Sequence, residues 1–192
     1  MRPVTLRTAR LTLDEPRLAD AELVTEYCQD PLFERYLTTP WPYTRADADA
    51  FLGSYVPESW ASGRELTWAI RDDDGGPVMG MISVREAQHE LGFWLGAAHR
   101  GSGLMSEAAT AVTEWVLAGG IRGATSLMWR AVEGNTASAR VARAAGFRRI
   151  EPVAPTVPTR DGGTLPAWHA VRTEPVDPRV HESWRPILGG DR

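Results

Sequence analysis

The 192-residue sequence contains no lysine, a single cysteine and no apolar run long enough to cross a bilayer. Because a Walker phosphate loop needs the sequence Gly-Lys-Ser/Thr, the absence of lysine excludes that class of nucleotide site. Cys28 has no internal partner, which excludes an intramolecular disulfide and a cysteine-rich metal site. A net charge of −4 is a poor match for the phosphates of nucleic acid. We therefore expect no nucleic-acid partner, no membrane partner and no metal.

What remains is the composition of one ordinary globular domain, with 43% hydrophobic and 24% charged residues. The segment from Met1 to Arg7 has neither the apolar region nor the cleavage site of a secretory signal, so we expect a cytoplasmic protein. We predict a single domain over residues 1–173. Residues 174–192 carry three prolines and end near a Gly-Gly pair, which predicts an irregular tail anchored by Trp184.

Apolar periodicity predicts a layered chain of the α/β or α+β class. Strands are predicted over residues 6–13, 66–71, 78–84, 90–95, 125–132, 147–153 and 165–172. Helices are predicted over residues 20–27, 44–61, 104–118 and 135–145, with Asp20 and Asn135 as N-caps. The first strand is broken near Thr8 or Ala9. An aromatic, proline-containing stretch from Phe33 to Tyr43 separates the first two helices.

The segment Arg100-Gly101-Ser102-Gly103 lies between a predicted strand and the amphipathic helix at 104–118, an arrangement suited to binding an anion. Glycines let successive backbone N–H groups turn toward one point, and a helix N-terminus adds unsatisfied donors and its positive dipole end. We therefore predict a phosphate or pyrophosphate site here. A Rossmann site would need Gly-x-Gly-x-x-Gly, which this loop lacks. Taken alone, the same glycines also fit a tight turn without a ligand.

A second candidate element is the helix that begins after Asn135. One stripe of this helix carries Asn135, Ser138, Val141, Ala142 and Ala145, so two polar side chains head an otherwise apolar face. A ligand lying along the helix would satisfy both polar groups. The alternative is a structural role for both, with Asn135 as the N-cap and Ser138 hydrogen-bonded to a backbone carbonyl.

In order and spacing these segments resemble the GCN5-related N-acetyltransferase (GNAT) superfamily, in particular the group related to the ribosomal-protein N-terminal acetyltransferases. The matching motifs are Glu90-Leu91-Gly92-Phe93-Trp94-Leu95, the loop with its continuation Leu104-Met105-Ser106-Glu107-Ala108, and Asn135-x-x-Ser138 followed by Gly146-Phe147. The resemblance implies a mixed, mostly antiparallel sheet of about seven strands. That sheet would splay between its fourth and fifth strands to hold an acyl-CoA, with helices on both faces.

The resemblance also implies which residues bind the co-substrate, acetyl-CoA or another acyl-CoA. Backbone groups of Phe93, Trp94 and Leu95 would pair with the pantetheine arm as an added strand would. The remaining contacts would come from Arg100, Gly101, Ser102, Gly103, Leu104, Met105, Ser106, Asn135 and Ser138. Two positions depart from the family pattern. Met105 stands at a usually small position, and Ala142 stands where many members have a tyrosine that serves as the acid.

Acyl transfer to an amine needs a neutral nucleophile, stabilisation of an oxyanion and a proton for the departing thiolate. Ser138 resembles the serine of the ribosomal-protein group, and it is the candidate donor of a hydrogen bond to the thioester sulfur. Glu90 is the candidate general base, acting through water, and His169 competes with it. An exposed strand-end carboxylate without a catalytic role is the alternative for Glu90. The acceptor pocket would be formed by the two early helices and the loop between the last two strands, and it would be lined by Trp41, Tyr43, Trp168 and His169.

The sequence therefore predicts an N-acetyltransferase whose acceptor is an amine, most simply the α-amine of a protein or peptide. A catalytically silent acyl-CoA-binding module is one alternative, and Ala142 favours it. Another is acetylation or succinylation of a small amine, such as a polyamine, an amino acid or an aminoglycoside. A nucleotide-binding α/β protein is disfavoured by the missing lysine and the glycine spacing. We expect a monomer or a homodimer.

Overall fold

A mixed β-sheet forms the centre of the computed structural model, which describes residues 1–72, 74–152 and 154–189. Its strands are β1 (Leu6–Arg7), β2 (Leu11–Asp14), β3 (Glu65–Asp72), β4 (Gly80–Arg85), β5 (Glu90–Leu95), β6 (Ser126–Val132), β7 (Arg148–Ile150), β8 (Thr156–Pro158) and β9 (Thr164–Thr173). The strand order is β1-β2-β3-β4-β5-β6-β9-β7, and β8 pairs with β9 outside this order. The predicted mixed, mostly antiparallel sheet is confirmed, with nine strands in place of seven.

Helices cover both faces of the sheet. In the described part of the chain they are α1 (Ala21–Tyr27), α2 (Pro31–Tyr36), α3 (Arg45–Ala50), α4 (Val56–Ser62), α5 (Leu104–Trp115), α6 (Thr136–Ala144) and α7 (Val180–Leu188). Wider helical turns at Phe51–Tyr55 join α3 to α4, so these form the single helix predicted over residues 44–61. That helix begins at a capping box between Thr44 and Asp47 and ends at Gly63, which has a φ of +78°.

Two hydrophobic cores lie on opposite faces of the sheet. Because side chains alternate along a strand, β3 sends Trp68 and Ile70 into the first core and Ala69 into the second. The first core joins the sheet to α4, α5, α6 and α7 and contains four tryptophans that are at most 1% exposed: Trp60, Trp68, Trp129 and Trp184. The second core joins the other face to α1, α2 and α3. The chain thus has the predicted layers of helices and sheet.

The sheet opens between β5 and β6, the pair that the sequence predicts to splay. These two strands are parallel and pair only at Glu90 with Met128 and at Leu91 with Trp129. Each strand is fully paired on its other side, since β5 pairs with β4 over six positions and β6 pairs with β9 over seven. The half of β5 from Gly92 to Leu95 therefore has no strand beside it on the β6 side. α5 follows the free end of β5, and α6 follows β6.

The structure adds detail to two of the segments considered above and corrects the prediction for a third. The first strand is a hairpin, because Thr8 donates its backbone N–H to Leu11 O and turns the chain back on itself. The stretch from Phe33 to Tyr43 is partly helical, because Asp30 caps α2 by accepting from Leu32 N and Pro31 occupies its first turn. The tail is also helical, since α7 packs through Trp184, whose indole donates to Phe147 O at 2.7 Å.

None of the helices in the described part of the chain combines the length and the apolar character that a membrane span requires. The division of the chain at residue 173 and the cytoplasmic location stay predictions.

Candidate active site

The loop between β5 and α5 presents an uncapped helix N-terminus. Gly101 and Gly103 have φ values of +85° and +80°, which glycine adopts readily. Gly103 precedes α5 without capping it by a side chain, and the first hydrogen bond of the helix runs from Glu107 N to Gly103 O at 3.1 Å. The N–H groups of residues 104–106 therefore have no acceptor within the helix. Together with the helix dipole they suit an anion, as the sequence predicts.

The side chain of Arg100 turns away from this cluster of N–H groups. Its Nε and Nη2 donate to Leu95 O at 3.0 and 2.8 Å, and its Nη1 lies 2.6 Å from Asp30 Oδ2. Asp30 is also the N-cap of α2. Hydrogen bonds from Leu32 N and Arg100 and the positive charge of Arg100 lower the pKa of Asp30, against the opposing and largest effect of burial. Arg100 therefore ties the end of β5 to α2.

Met105, which departs from the family pattern, packs into the first core. It is 6% exposed, alongside Leu95 and Ala108. The donors of the loop belong to the main chain, so this side chain leaves them free.

Two residues that the sequence does not single out hold the loop from the β1–β2 hairpin. Arg10 donates from Nη1 to Ser102 O at 3.1 Å and from Nε to Glu107 Oε2 at 2.7 Å. Thr8 Oγ1 donates to the other oxygen of Glu107 at 2.5 Å. Burial opposes ionisation of Glu107, but the hydrogen bonds from Thr8 and Arg10 prevail and lower its pKa. No local pattern could reveal this contact, because it joins residues 92 to 99 positions apart.

The three β5 residues predicted to bind pantetheine differ in what their backbone groups face. Met128 N donates to His89 O, so the backbone groups of His89 face β6, and alternation along the strand gives Phe93 the same direction. Trp94 pairs with Met81 and faces β4. Leu95 O accepts the guanidinium of Arg100. Phe93 is therefore the one of the three whose backbone groups point into the opening without a described partner strand.

Ser138 and Asn135 lie together where α6 begins. Asn135 Oδ1 accepts from Ser138 N at 3.2 Å, which makes Asn135 the N-cap, as the structural alternative predicts for this residue. Ser138 Oγ is 3.2 Å from the indole Nε1 of Trp129 on β6. The backbone-carbonyl bond considered for Ser138 is not among the hydrogen bonds of the described residues. Ala142, at the position of the family's tyrosine, is fully buried in the first core.

Glu90 lies in a row of charged side chains that crosses the sheet. Its Oε2 accepts from Nε of Arg130 at 2.9 Å and also from Nη2 of the same guanidinium. Its Oε1 lies 3.5 Å from Nη1 of Arg85. Glu65 extends the row on β3, where it accepts from Tyr55 and Ser83 at 2.6 Å each. Glu90 is 7% exposed, so the description of it as an exposed strand-end carboxylate is wrong.

The four residues predicted to line the acceptor pocket do not form one surface. Tyr43 is 6% exposed and belongs to the second core, where burial is the main cause that raises its pKa. Trp41 is half-buried against the same core. Trp168 and His169 are neighbours on β9 and therefore point to opposite faces of the sheet. A role for these four residues in binding the acceptor stays a prediction; Tyr43 is buried, and strand alternation places Trp168 and His169 on opposite faces.

His169 lies beside the row of charges, since it pairs with Arg130 across β6 and β9. Its Nε2 is buried and has no hydrogen-bond partner within the described ranges. Burial and then the charge of Arg130 lower its pKa, while the backbone of Thr156 and the charge of Glu90 act in the opposite direction. The ring is therefore held mainly neutral near pH 7.

A loop between β8 and β9 reaches across to α2. Arg160 donates from Nη2 to Phe33 O at 3.1 Å and Leu37 O at 2.9 Å, and from Nε to Thr39 O at 3.1 Å. Leu37 O and Thr39 O lie just beyond the end of α2, where carbonyls lack helical partners, whereas Phe33 O also accepts from Leu37 N. The sequence predicts that this loop and the early helices share the acceptor side, and the structure brings them into contact.

Known proteins with a similar sequence are acetyltransferases. The family model described as acetyltransferase (GNAT) domain matches residues 10–148, a span that contains both the glycine loop and Ser138. The uncharacterized N-acetyltransferase p20 of Bacillus licheniformis is 26% identical over 155 residues, which cover 76% of this chain and 83% of that protein.

Solved structures share the fold. RimL, the ribosomal L7/L12 α-N-protein acetyltransferase, in complex with coenzyme A, gives a TM-score of 0.74 at 17% identity, covering 91% of this chain and 100% of RimL. MccE, the microcin C7 self-immunity acetyltransferase, in complex with acetyl-CoA and AMP, gives a TM-score of 0.72 at 20% identity, covering 86% of this chain and 93% of MccE. At these identities the likeness concerns the fold.

Proposed function

Because this chain belongs to the GNAT acetyltransferase family, we propose that it acetylates the α-amine of a protein or peptide. Family membership gives the coarser statement directly: the chain is an N-acetyltransferase that uses acetyl-CoA and an amine acceptor. The observation that carries the proposal is a pair of features beside the opening between β5 and β6. One is the uncapped N-terminus of α5, and the other is the hydroxyl of Ser138 at the start of α6.

The glycine loop fits the diphosphate of acetyl-CoA. A Cβ added to Gly101 would meet nothing within 4 Å, and one at Gly103 would meet only Arg10 Nη2 at 3.7 Å, so the face of the loop is open. Residues 104–106 would direct their N–H groups to the phosphates, and Phe93 would offer its backbone groups to the pantetheine arm. Acetyl-CoA, when bound, supplies an acetyl group activated as a thioester.

Glu90 is the proposed base for the incoming ammonium. A carboxylate has about four lone-pair sites, and Arg130 occupies both sites of Oε2 while Arg85 takes one site of Oε1. One site on Oε1 is then left to accept from a water molecule, which would relay the proton. The two guanidinium groups orient the carboxylate. Ser138 is proposed to donate a hydrogen bond to the leaving sulfur, in place of the family's tyrosine.

An α-amine is the proposed acceptor because the same fold serves RimL, whose name states that it acetylates the α-amine of a ribosomal protein. The second candidate acceptor is a small amine. It is favoured by the contact of Arg160 with α2, which draws the β8–β9 loop over the acceptor side and leaves less room for a protein. MccE, crystallised with AMP, is a relative of this fold that contains a small molecule besides acetyl-CoA.

A thiol-release assay tests both candidates. Peptides that lack lysine and carry a free N-terminus would be compared with the same peptides blocked at the N-terminus, so that the α-amine is the only primary amine that differs. Polyamines, amino acids and aminoglycosides would run in parallel, each with acetyl-CoA and succinyl-CoA. Turnover of the free peptides alone is the expected result. Turnover of small amines alone would replace the α-amine proposal, and silence with every acceptor would favour a binding module.

A further inference from the structure

The contact between Trp129 and Ser138 fixes which of the two groups donates. The indole Nε1 of Trp129 lies 3.2 Å from Ser138 Oγ. An indole nitrogen can only donate, whereas a serine hydroxyl has one hydrogen and two lone pairs. Ser138 is therefore the acceptor in this pair, and its own hydrogen must point to another group.

That hydrogen has no acceptor among the residues that the structure describes. The other hydrogen bond of Ser138 there runs from its backbone N–H to Asn135 Oδ1 and does not involve the hydroxyl. A serine inside a helix often donates to a carbonyl of the preceding turn, which would occupy the hydrogen, but Ser138 lies in the first turn of α6. Here Trp129 holds the oxygen from the sheet side, and the hydroxyl hydrogen stays available beside the opening between β5 and β6.

The side chain of Trp129, which donates to Ser138 Oγ, is held rigidly in the first core. Its side chain is 1% exposed, and its ring packs edge to face against Trp184 with the centroids 5.6 Å apart. Trp184 is fixed in turn, because its own Nε1 donates to Phe147 O at 2.7 Å. An indole enclosed in this way cannot turn its N–H elsewhere without repacking the first core.

We propose that Trp129 is a positioning residue for acetyl transfer, whose N–H holds Ser138 Oγ so that the hydroxyl hydrogen faces the sulfur of the thioester. This inference rests on the proposed function. In the transfer the amine nitrogen bonds to the acetyl carbon, and the carbon–sulfur bond breaks with its electron pair passing to sulfur. The amine passes its proton through water to Glu90, and the departing sulfur takes up a proton from solvent. Donation from Trp129 polarises the hydroxyl of Ser138 and strengthens its hydrogen bond to the sulfur.

Trp129→Phe tests the proposal, with Trp60→Phe as its matched control. Each substitution keeps an aromatic ring and removes one buried N–H, but Trp60 donates to Thr67 O at 3.0 Å, whereas the N–H of Trp129 reaches Ser138. We expect Trp129→Phe to lower kcat by about 2- to 12-fold, as the loss of one neutral hydrogen bond would, with the KM for acetyl-CoA unchanged. Trp60→Phe should lower Tm and leave kcat within about twofold. Equal losses of kcat in the two variants would overturn the proposal.

A double substitution separates positioning from packing. In a Ser138→Ala background, Trp129→Phe should cause no further loss of kcat, because the hydroxyl that it orients is already gone. The same fold-loss in both backgrounds would mean that Trp129 acts without Ser138. If Ser138→Ala alone kept wild-type kcat, the proposed role of Ser138 would fail. If Ser138→Ala lowers kcat and Trp129→Phe does not, the role of Ser138 stands and the positioning role of Trp129 is wrong.

The hydrogen bond can also be followed without turnover. In protein labelled with ¹⁵N-tryptophan, Ser138→Ala should shift the indole N–H resonance that is absent from Trp129→Phe, and it should leave in place the resonance that is absent from Trp60→Phe. If Trp129→Phe does not fold, Trp129→Tyr, which keeps a larger ring and also lacks the indole N–H, assigns the Trp129 resonance instead. An unmoved Trp129 resonance in Ser138→Ala would overturn the proposal.

Discussion

Replacing Gly103 with valine is the sharpest test of the phosphate loop. Gly103 has a φ of +80° and stands immediately before α5. A β-branched residue in that conformation is strained by on the order of 1–3 kcal/mol. Crowding adds little, because a Cβ at this position would meet only Arg10 Nη2 at 3.7 Å, an ordinary contact. The effect of the substitution therefore comes from backbone conformation.

Whether the strain lowers stability or affinity depends on the conformation of the loop without ligand. If the loop kept its conformation with and without ligand, the strain would lower the stability of both states equally and leave affinity unchanged. Residues 101–103 are exposed, so we expect the free valine variant to relax to a negative φ, which turns the N–H groups away from the anion. Binding must then restore the strained form. The Kd for acetyl-CoA should rise by about 5- to 150-fold, the equivalent of about 1–3 kcal/mol.

Isothermal titration with acetyl-CoA measures this change, and Gly123→Val is its control. Gly123 has a φ of +79° and no atom within 4 Å of an added Cβ, but it lies in an exposed turn before β6. The control variant should bear similar strain and bind acetyl-CoA as the wild type does. Wild-type affinity in Gly103→Val, with the protein folded, would show that the diphosphate does not bind at this loop. An equal loss of affinity in both variants would point to general destabilisation.

Four further predictions concern single side chains. Ser138→Ala should lower kcat while the KM for acetyl-CoA stays the same in initial-rate assays, and an unchanged kcat would contradict its role. Glu90→Gln leaves Arg130 without its buried partner. The free energy of unfolding measured in urea should therefore fall by up to about 3–5 kcal/mol, and by less where water solvates the guanidinium. The remaining activity of the Glu90→Gln enzyme should rise with pH as free amine accumulates. A pH profile like that of the wild type would exclude Glu90 as the base. Arg160→Ala should raise the KM for the acceptor more than the Kd for acetyl-CoA, since its contacts are with the acceptor end of α2; a larger change in the Kd for acetyl-CoA would refute this. The lowered pKa of His169 means that the unfolded chain takes up a proton first as pH falls, so Tm should drop below about pH 6.5, and His169→Gln should flatten that drop.

Features that depend on short stretches of sequence could be predicted. The positive φ at Gly103, the N-cap at Asn135 and the strand at Glu90–Leu95 each follow from a local pattern and all lie where expected. The contact of Arg10 with the loop and that of Arg160 with α2 could not be predicted. Each joins segments about 90 to 130 residues apart through side chain to backbone bonds, which any arginine at the right place could make.

Periodicity also misses elements whose stability comes from the tertiary structure. α7 contains Pro186 and follows two other prolines, so its sequence indicates an irregular tail. It forms because Trp184 is enclosed between Trp129 and the backbone of Phe147, and burial of an aromatic ring outweighs a poor intrinsic helix propensity. The same packing holds Trp129 against Ser138. The unpredicted tail thus supports a residue of the predicted site.

The short helix α2 connects the donor side of the site to the acceptor side, although none of its side chains has a chemical role. Its N-cap, Asp30, bonds Arg100 of the glycine loop at 2.6 Å. Its last residue, Tyr36, lies 3.5 Å from Gly134 O, next to the N-cap of α6, and Arg160 holds the carbonyls at its end. If α2 moved when an acceptor bound, the bond between Asp30 and Arg100 would pass that movement to the glycine loop. Coupling through this helix would be reciprocal, because a change that one ligand makes in the affinity for the other holds equally in reverse.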